Sequence, residues 1–243
     1  MTTIAVVAAS GLGKRMRLKP GQSKQYLKIG RYPVIYYTLK AFEQSKEVDQ
    51  VIVATLDEYF PYLKRLAKRH GFSKVQHIIQ GGKERQDSIY NCLSFLSNTF
   101  SNKDELNNAT ILIHDGVRPF ILPHEIDEIA KLTKAFGATV PATKPKDTIK
   151  TIGPSEDVFG KTLDRSELRQ VQTPQAFTFK LIFDAHQKAK EAGVYATDDG
   201  ALLEKYFPEH PIKIYDMGYH NIKITTPEDI DLGKMMVKRL GLG

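Results

Sequence analysis

Six short apolar runs rich in β-branched residues recur at 4–9, 51–55, 75–79, 110–114, 138–142 and 212–215, and this recurrence is what most restricts the fold. Between most of them the apolar positions take a helical period. Residues 33–45 open with Pro33, expected at the first helical position, and carry Val34, Ile35, Thr38, Leu39 and Phe42 on one side. Segment 84–97 lines up Ile89, Cys92, Leu93 and Leu96, and segment 123–136 lines up Ile126, Ile129, Ala130 and Phe136. The last helix is marked by Thr226 as N-cap, Pro227 in its first turn and Asp229 completing a capping box. Strands alternating with helices predict an α/β fold, a mostly parallel twisted sheet with helices on both faces. A chain of 243 residues has room to build it as one domain, 1–243.

One stretch breaks the alternation. Residues 144–172 place two extended segments, 148–152 and 158–163, around a turn rich in Gly, Pro, Ser and acidic residues. An inserted β-hairpin arm is expected there. A two-stranded hairpin is marginal alone, and a second subunit is the simplest surface for it to pack on, so a homodimer is expected.

Composition narrows the class. The chain is 41% hydrophobic and 26% charged, which suits a globular protein. Its single cysteine, Cys92, excludes an internal disulfide and suits a reducing compartment. The beginning "MTTIAVVAAS" carries no basic leader, and no apolar run approaches the length of a membrane span. A cytoplasmic location with no membrane partner is expected. The net charge of +7 is unevenly placed: the residues before Glu43 carry +8, so everything after them sums to −1. Such a cluster suits a compact polyphosphate better than a long duplex, and no nucleic-acid partner is expected.

The cluster surrounds "AASGLGKRM", residues 8–16, directly after the first apolar run. A dinucleotide fingerprint fails because Met16 stands where its third glycine belongs. A P-loop fails because Gly11 and Gly13 are too close and Arg15 follows Lys14. Two readings remain: a short anion-binding loop, or an ordinary strand-to-helix turn with a basic tip.

In an open parallel sheet, ligands bind beyond the carboxyl ends of strands. The groups at such ends are loop 8–16, "GGKERQDS" (81–88), "HDGVRPF" (114–120), "KDTIK" (146–150), "TDD" (197–199) and "NIKITTPED" (221–229). They include no Cys/His set with zinc spacing and no Gly-x-Ser-x-Gly elbow. His114 reads as a packed strand-end residue. A set without an obvious nucleophile and with many cations fits direct phosphoryl or nucleotidyl transfer, where positioning and charge stabilisation dominate.

These motifs, with "KQYL" (24–27) and "DRSELRQVQTPQAF" (164–177), resemble the 2-C-methyl-D-erythritol 4-phosphate cytidylyltransferase family of non-mevalonate isoprenoid synthesis over nearly the whole chain. The resemblance implies a Rossmann-like nucleotidyltransferase that joins CTP to a polyol phosphate and releases pyrophosphate, with Mg²⁺ bound mainly through the CTP phosphates rather than at a dedicated protein site. It implies that the loop containing Ala9, Ser10, Gly11, Gly13, Lys14 and Arg15 wraps the triphosphate, and that Arg15 and Lys24 stabilise charge at the α-phosphate. It places Gly81, Gly82, Arg85 and Ser88 at the cytosine and Asp115 on the ribose and metal side. Arg118, Thr148, Arg165 and Thr173 are implied at the methylerythritol phosphate. Lys223 is implied to bridge both substrates, and Thr197 and Asp198 to lie in a dimer-side loop.

Departures from the family pattern are Ala8, Ser10, Ser23, Gly116, Val117 and Arg169, with one extra residue between Met16 and Lys24. A sister family, the ribitol-5-phosphate cytidylyltransferases, often shares "VRPF" but usually lacks "DRSELRQVQTPQ" and "TDDGA". It is the alternative, and a catalytically silent nucleotide-binding module is a remoter one.

Overall fold

Five of the six apolar runs become β1 (Thr3–Ala8), β2 (Gln50–Thr55), β3 (Val75–Gln80), β4 (Thr110–Asp115) and β5 (Ala138–Thr143). The computed structural model describes residues 1–11, 13–16, 18 and 22–242; the side chain of Lys14, and Arg17 and Lys19 of the basic cluster, lie outside the described residues. The inserted section forms β6 (Lys150–Ile152) and β7 (Phe159–Thr162), a separate two-stranded sheet, at the place the sequence indicates. Two strands then appear that periodicity does not signal, β8 (Gln170–Val171) and β9 (Gln175–Thr178). The sixth run is β10 (Lys213–Asp216).

The main sheet has the order β10-β5-β9-β4-β1-β2-β3, with β8 added to β5. Neighbours among β4, β1, β2 and β3 are parallel, as are β5 and β10. β9 lies antiparallel between β4 and β5, so the sheet is mostly parallel but mixed.

The helices are α1 (Val34–Gln44), α2 (Phe60–His70), α3 (Arg85–Thr99), α4 (Lys103–Asn107), α5 (Pro123–Phe136), α6 (Phe179–Glu191), α7 (Asp199–Tyr206) and α8 (Pro227–Arg239). Pro33 proves to be the N-cap of α1, one residue earlier than expected. Because side chains alternate across a strand, β1 feeds two cores. Ala5 and Val7 pack with Ile35, Leu39 and Phe42 of α1, Ile126 and Ile129 of α5, and Val237 of α8. Ile4 and Val6 pack on the other face with Ile89, Cys92 and Leu93 of α3 and Ile182 of α6. Each such buried side chain contributes about 1.5–3 kcal/mol of transfer free energy. The alternation thus fixes a rigid sheet from whose upper edge the site is built.

Candidate active site

The carboxyl ends of β1, β2, β3 and β4 share one edge, because the four strands are parallel. Beyond that edge lies a cavity of about 650 Å³. Ser10, Gly11, Gly13, Arg15, Lys24, Gly82, Arg85, Asp115 and Lys223 line it. Motifs separated by as much as the whole chain therefore meet at one place. Gln25, Lys83, Glu84, Val117 and Thr225 also line the cavity, and the sequence reading assigned them no role.

The glycine loop is held open by contacts specific to it. Gly13 has φ +64°, in the left-handed region that favours glycine. The carbonyl of Gly11 accepts Gln25 Nε2 at 3.2 Å, which ties the loop to the single 3₁₀ turn Lys24–Tyr26. Ser10 Oγ lies 2.7 Å from Ser88 Oγ, and the Gly82 N–H donates to Ser88 Oγ at 3.0 Å. A Cβ on Gly81 would stand 2.3 Å from Ser10 Cβ, so only glycine lets the exit of β3 pass this loop. Ala9, Gly81 and Ser88 thus form the supporting wall. Ser88 is fully buried beneath it.

Asp115 ends β4 and collects the cations. Its Oδ1 accepts Arg85 Nε at 2.8 Å, its Oδ2 accepts Lys223 Nζ at 2.8 Å, and Arg118 Nε lies 3.5 Å from Oδ2 as an ion pair without a hydrogen bond. Burial alone would raise its pKa, but Arg85, Lys223 and Arg118 together hold it well below the usual carboxylate range. Arg85 spans two carboxylates, since its Nη1 also donates to Asp199 Oδ2 at 2.8 Å. Burial opposes its charge, yet Asp199 and Asp115 outweigh burial and raise its pKa. Its Nη2 is buried with no partner among the described residues, a donor still available to a ligand. Lys223 is positioned by the capping box of α8: the Thr225 and Thr226 N–H groups donate to Asp229 Oδ2 at 2.7 and 2.9 Å. The Ile224 N–H adds a bond to the Val117 carbonyl at 2.8 Å.

Lys24 is buried, and its Nζ donates to the Ile224 carbonyl at 3.0 Å. Burial, then Lys223, lowers its pKa from 10.5 to about 8, with Asp115 opposing and Arg15 adding to the fall. A lysine held next to other cations gains most from an arriving anion.

Arg118 and Thr173 stand one layer behind this wall rather than on it. Arg118 Nη1 donates to the Asn221 carbonyl at 2.9 Å. Thr173 Oγ1 accepts the Asp115 N–H at 3.1 Å and lies 3.0 Å from His114 Nδ1. His114 Nε2 lies 3.0 Å from the Arg118 carbonyl, and burial pushes the imidazole pKa down to about 4. A neutral ring donating from Nε2 leaves Nδ1 to accept from Thr173, so the strand-end histidine fixes the turn from Asp115 to Arg118.

Thr148 and Arg165 are exposed on the hairpin arm and do not line the cavity; Arg165 Nη1 donates to the Lys146 carbonyl at 2.7 Å. Thr197 is exposed, whereas Asp198 caps α7 through the Ala201 N–H at 2.8 Å and accepts Gln175 Nε2 at 2.9 Å. Neither lies on the cavity wall. Arg169 bonds to the nearby carbonyls of Ser166 and Leu168, while Val117 does line the cavity. Asp199 and Asn221, both buried and both bonded to site residues, escaped the sequence reading. Their visible signals were the motifs that contain them, "TDD" (197–199) for Asp199 and "NIKITTPED" (221–229) for Asn221. Among the described residues no three His, Cys, Asp or Glu side chains group as a metal site, and no helix is long and apolar enough to cross a membrane.

Comparison with known proteins extends this geometry. A family model described as 2-C-methyl-D-erythritol 4-phosphate cytidylyltransferase matches residues 3–239. A protein of that name from Chloroherpeton thalassium is 61% identical, with 99% of this chain and 98% of that protein covered. Another from Chlorobaculum parvum is 55% identical over 99% of this chain and 97% of its own length. A crystal structure of 4-diphosphocytidyl-2C-methyl-D-erythritol synthase from Anaerococcus prevotii superposes with TM-score 0.82 at 28% identity, covering 98% of this chain and 96% of that one. The Thermus thermophilus cytidylyltransferase of that family name gives TM-score 0.73 at 26% identity over 96% and 98%.

Proposed function

This chain belongs to the 2-C-methyl-D-erythritol 4-phosphate cytidylyltransferase family, and we propose that it transfers the cytidylyl group of CTP to 2-C-methyl-D-erythritol 4-phosphate. A phosphate oxygen of the alcohol phosphate attacks the α-phosphorus of CTP. The bond from that phosphorus to the bridging oxygen of pyrophosphate breaks, and pyrophosphate leaves with the electron pair. Both reactants are anions, so cations must offset their repulsion before an in-line approach. Arg15, Lys24 and Lys223 on one cavity wall supply them, and that cluster is the observation that carries the reading. The glycine loop offers backbone donors to the triphosphate. The layer formed by Ser10, Gly81, Gly82, Arg85 and Ser88 suits reading of a base edge.

Mg²⁺ is proposed as the accompanying ion. The cavity offers Asp115 and Glu84 as its carboxylates. That sparse oxygen set fits an ion that keeps waters and takes its other ligands from substrate phosphates. Bound so, it would supply charge neutralisation along the triphosphate. Asp115 is the residue that would hold it. The chain is further proposed to act in the cytoplasm as a homodimer whose hairpin arms reach the partner's cavity. The arm's exposed apolar side chains, Phe159 at 80% and Ile152 at 69%, support this, as does the fact that Arg165 does not line the cavity of its own chain.

The test is a side-by-side measurement of pyrophosphate release from CTP with methylerythritol 4-phosphate or ribitol 5-phosphate. We expect the former to be faster by about 10²-fold, the scale on which a site built for particular hydroxyls discriminates. Equal or faster turnover of the ribitol compound would move the chain to the other substrate.

A further inference from the structure

We propose that His186 and Asp199 are a positioning pair that orients Arg85 in the nucleotide site, an inference that rests on the function above. His186 lies on α6 with its side chain fully buried, and its Nε2 stands 3.2 Å from Asp199 Oδ1. Asp199 begins α7, is equally buried, and gives its other oxygen to Arg85 Nη1 at 2.8 Å. Arg85 Nε continues the chain to Asp115 Oδ1 at 2.8 Å, and Asp115 lines the cavity with Lys223.

Two buried carboxylates from different elements therefore grip one guanidinium along two of its edges. Such a fork fixes both the plane and the rotation of the group. Its Nη2, buried and without a partner among the described residues, is the donor left for a ligand atom. The grip depends on Asp199 keeping one orientation. Among the described residues its carboxylate is bonded by Arg85 on Oδ2 and by His186 on Oδ1. Without the imidazole N–H, Oδ1 would be a buried acceptor lacking its donor, and the carboxylate would be free to turn.

The opposite side of the ring supports the assignment. His186 lines a second cavity of about 130 Å³ with Gln86, Tyr90 and Val194, and its Nδ1 is buried with no partner among the described residues. A buried imidazole loses hydration at both nitrogens, and the bond to Asp199 offsets that loss at one of them. Here the nitrogen facing the carboxylate is engaged, and the other faces no partner among the described residues.

The experiment measures CTP affinity by titration calorimetry on wild-type, His186→Leu, His186→Gln and Asp199→Asn proteins, with steady-state constants for both substrates. His186→Leu and Asp199→Asn are expected to weaken CTP binding about tenfold, the scale of one charge-assisted hydrogen bond. The KM for CTP should follow, while kcat and the KM for the polyol phosphate change less than twofold. His186→Gln, whose amide can donate where Nε2 does, should restore affinity to within twofold of wild type. In the wild-type protein, the ring ¹⁵N signals of His186 should shift with CTP and stay still with polyol phosphate, a reading that needs no variant to fold. Unchanged CTP affinity in folded His186→Leu and Asp199→Asn, equal weakening by Gln and Leu, or ring signals indifferent to saturating CTP would each overturn the proposal. Wild-type protein that binds CTP but makes no cytidylylated alcohol overturns the proposed function alone; wild-type protein that binds no CTP overturns both.

Discussion

Lys24 carries the sharpest single-residue expectations because it is buried among other cations. Lys24→Ala should lower kcat about 10²–10³-fold without unfolding the chain, the scale seen when one charge-stabilising donor is removed; near-wild-type turnover in a folded variant removes it from the mechanism. Its pKa of about 8 adds a pH signature. In the free enzyme the ammonium loses its proton as pH rises through that value, so kcat/KM for CTP should fall above about pH 8. Lys24→Arg keeps the charge, so that fall should move to higher pH even where the absolute rate drops; a limb unmoved by Arg belongs to another group. Linkage runs in the same sense. The folded pKa lies below the ordinary 10.5, so the charged form costs stability at low pH and the cost is relieved as pH rises from about 8 to 10.5. At this scale the sequence is informative where chemistry and motif coincide: Arg15, Lys24, Asp115 and Lys223 stand hundreds of residues apart at the extremes and line one cavity. It is silent on His186 and on its pairing with Asp199, because a buried pair is made by the packing of α6 on α7 and leaves no spacing of its own.

Elements were legible in proportion to their periodicity. The six apolar runs and α8, with its capping box, read directly because each repeats a pattern over several residues. β9 did not, since Gln175–Thr178 is four residues with three consecutive buried positions and no alternation. Its place between β4 and β5 is decided by hydrogen bonding on both sides, a tertiary fact. The arm is the reverse case: its hairpin was visible, and among the described residues it forms a sheet of its own beside the main one. With Ile152 and Phe159 exposed and β6–β7 separate from the main sheet, it should be ordered by a partner. Mixing inactive Arg165→Ala and Lys24→Ala subunits should therefore restore activity, because one site of the mixed dimer regains both groups. Sedimentation showing a fully active monomer, or mixtures no better than their parts, would sink the arrangement.

Across the whole molecule the charge is segregated, with +8 before Glu43 and −1 in all that follows. That division is legible in the sequence itself. What the sequence does not display is the direction in which the field points, because Lys24 and Arg15 reach the cavity only through the turn that ties the glycine loop to Gln25. The turn aims these two cations at the edge where β1 to β4 end, so an approaching polyanion meets attraction before contact. Two measurements separate this field from the contacts themselves. Saturating CTP at about a hundredfold its Kd should stabilise the fold by about 2.7 kcal/mol, which for a chain of this size is a rise in Tm of roughly 5–10 °C. That shift reports contacts and should survive moderate salt in proportion to the remaining affinity. The association rate reports the field. As ionic strength passes about 0.15 M the screening length falls to about 8 Å, and the on-rate for CTP should drop several-fold while kcat at saturation barely moves. Lys28→Glu with Arg31→Glu, exposed and off the cavity wall, should lower the on-rate and its salt dependence together and leave kcat unchanged. An on-rate insensitive to both salt and these reversals would mean that the segregated charge serves only the bound state.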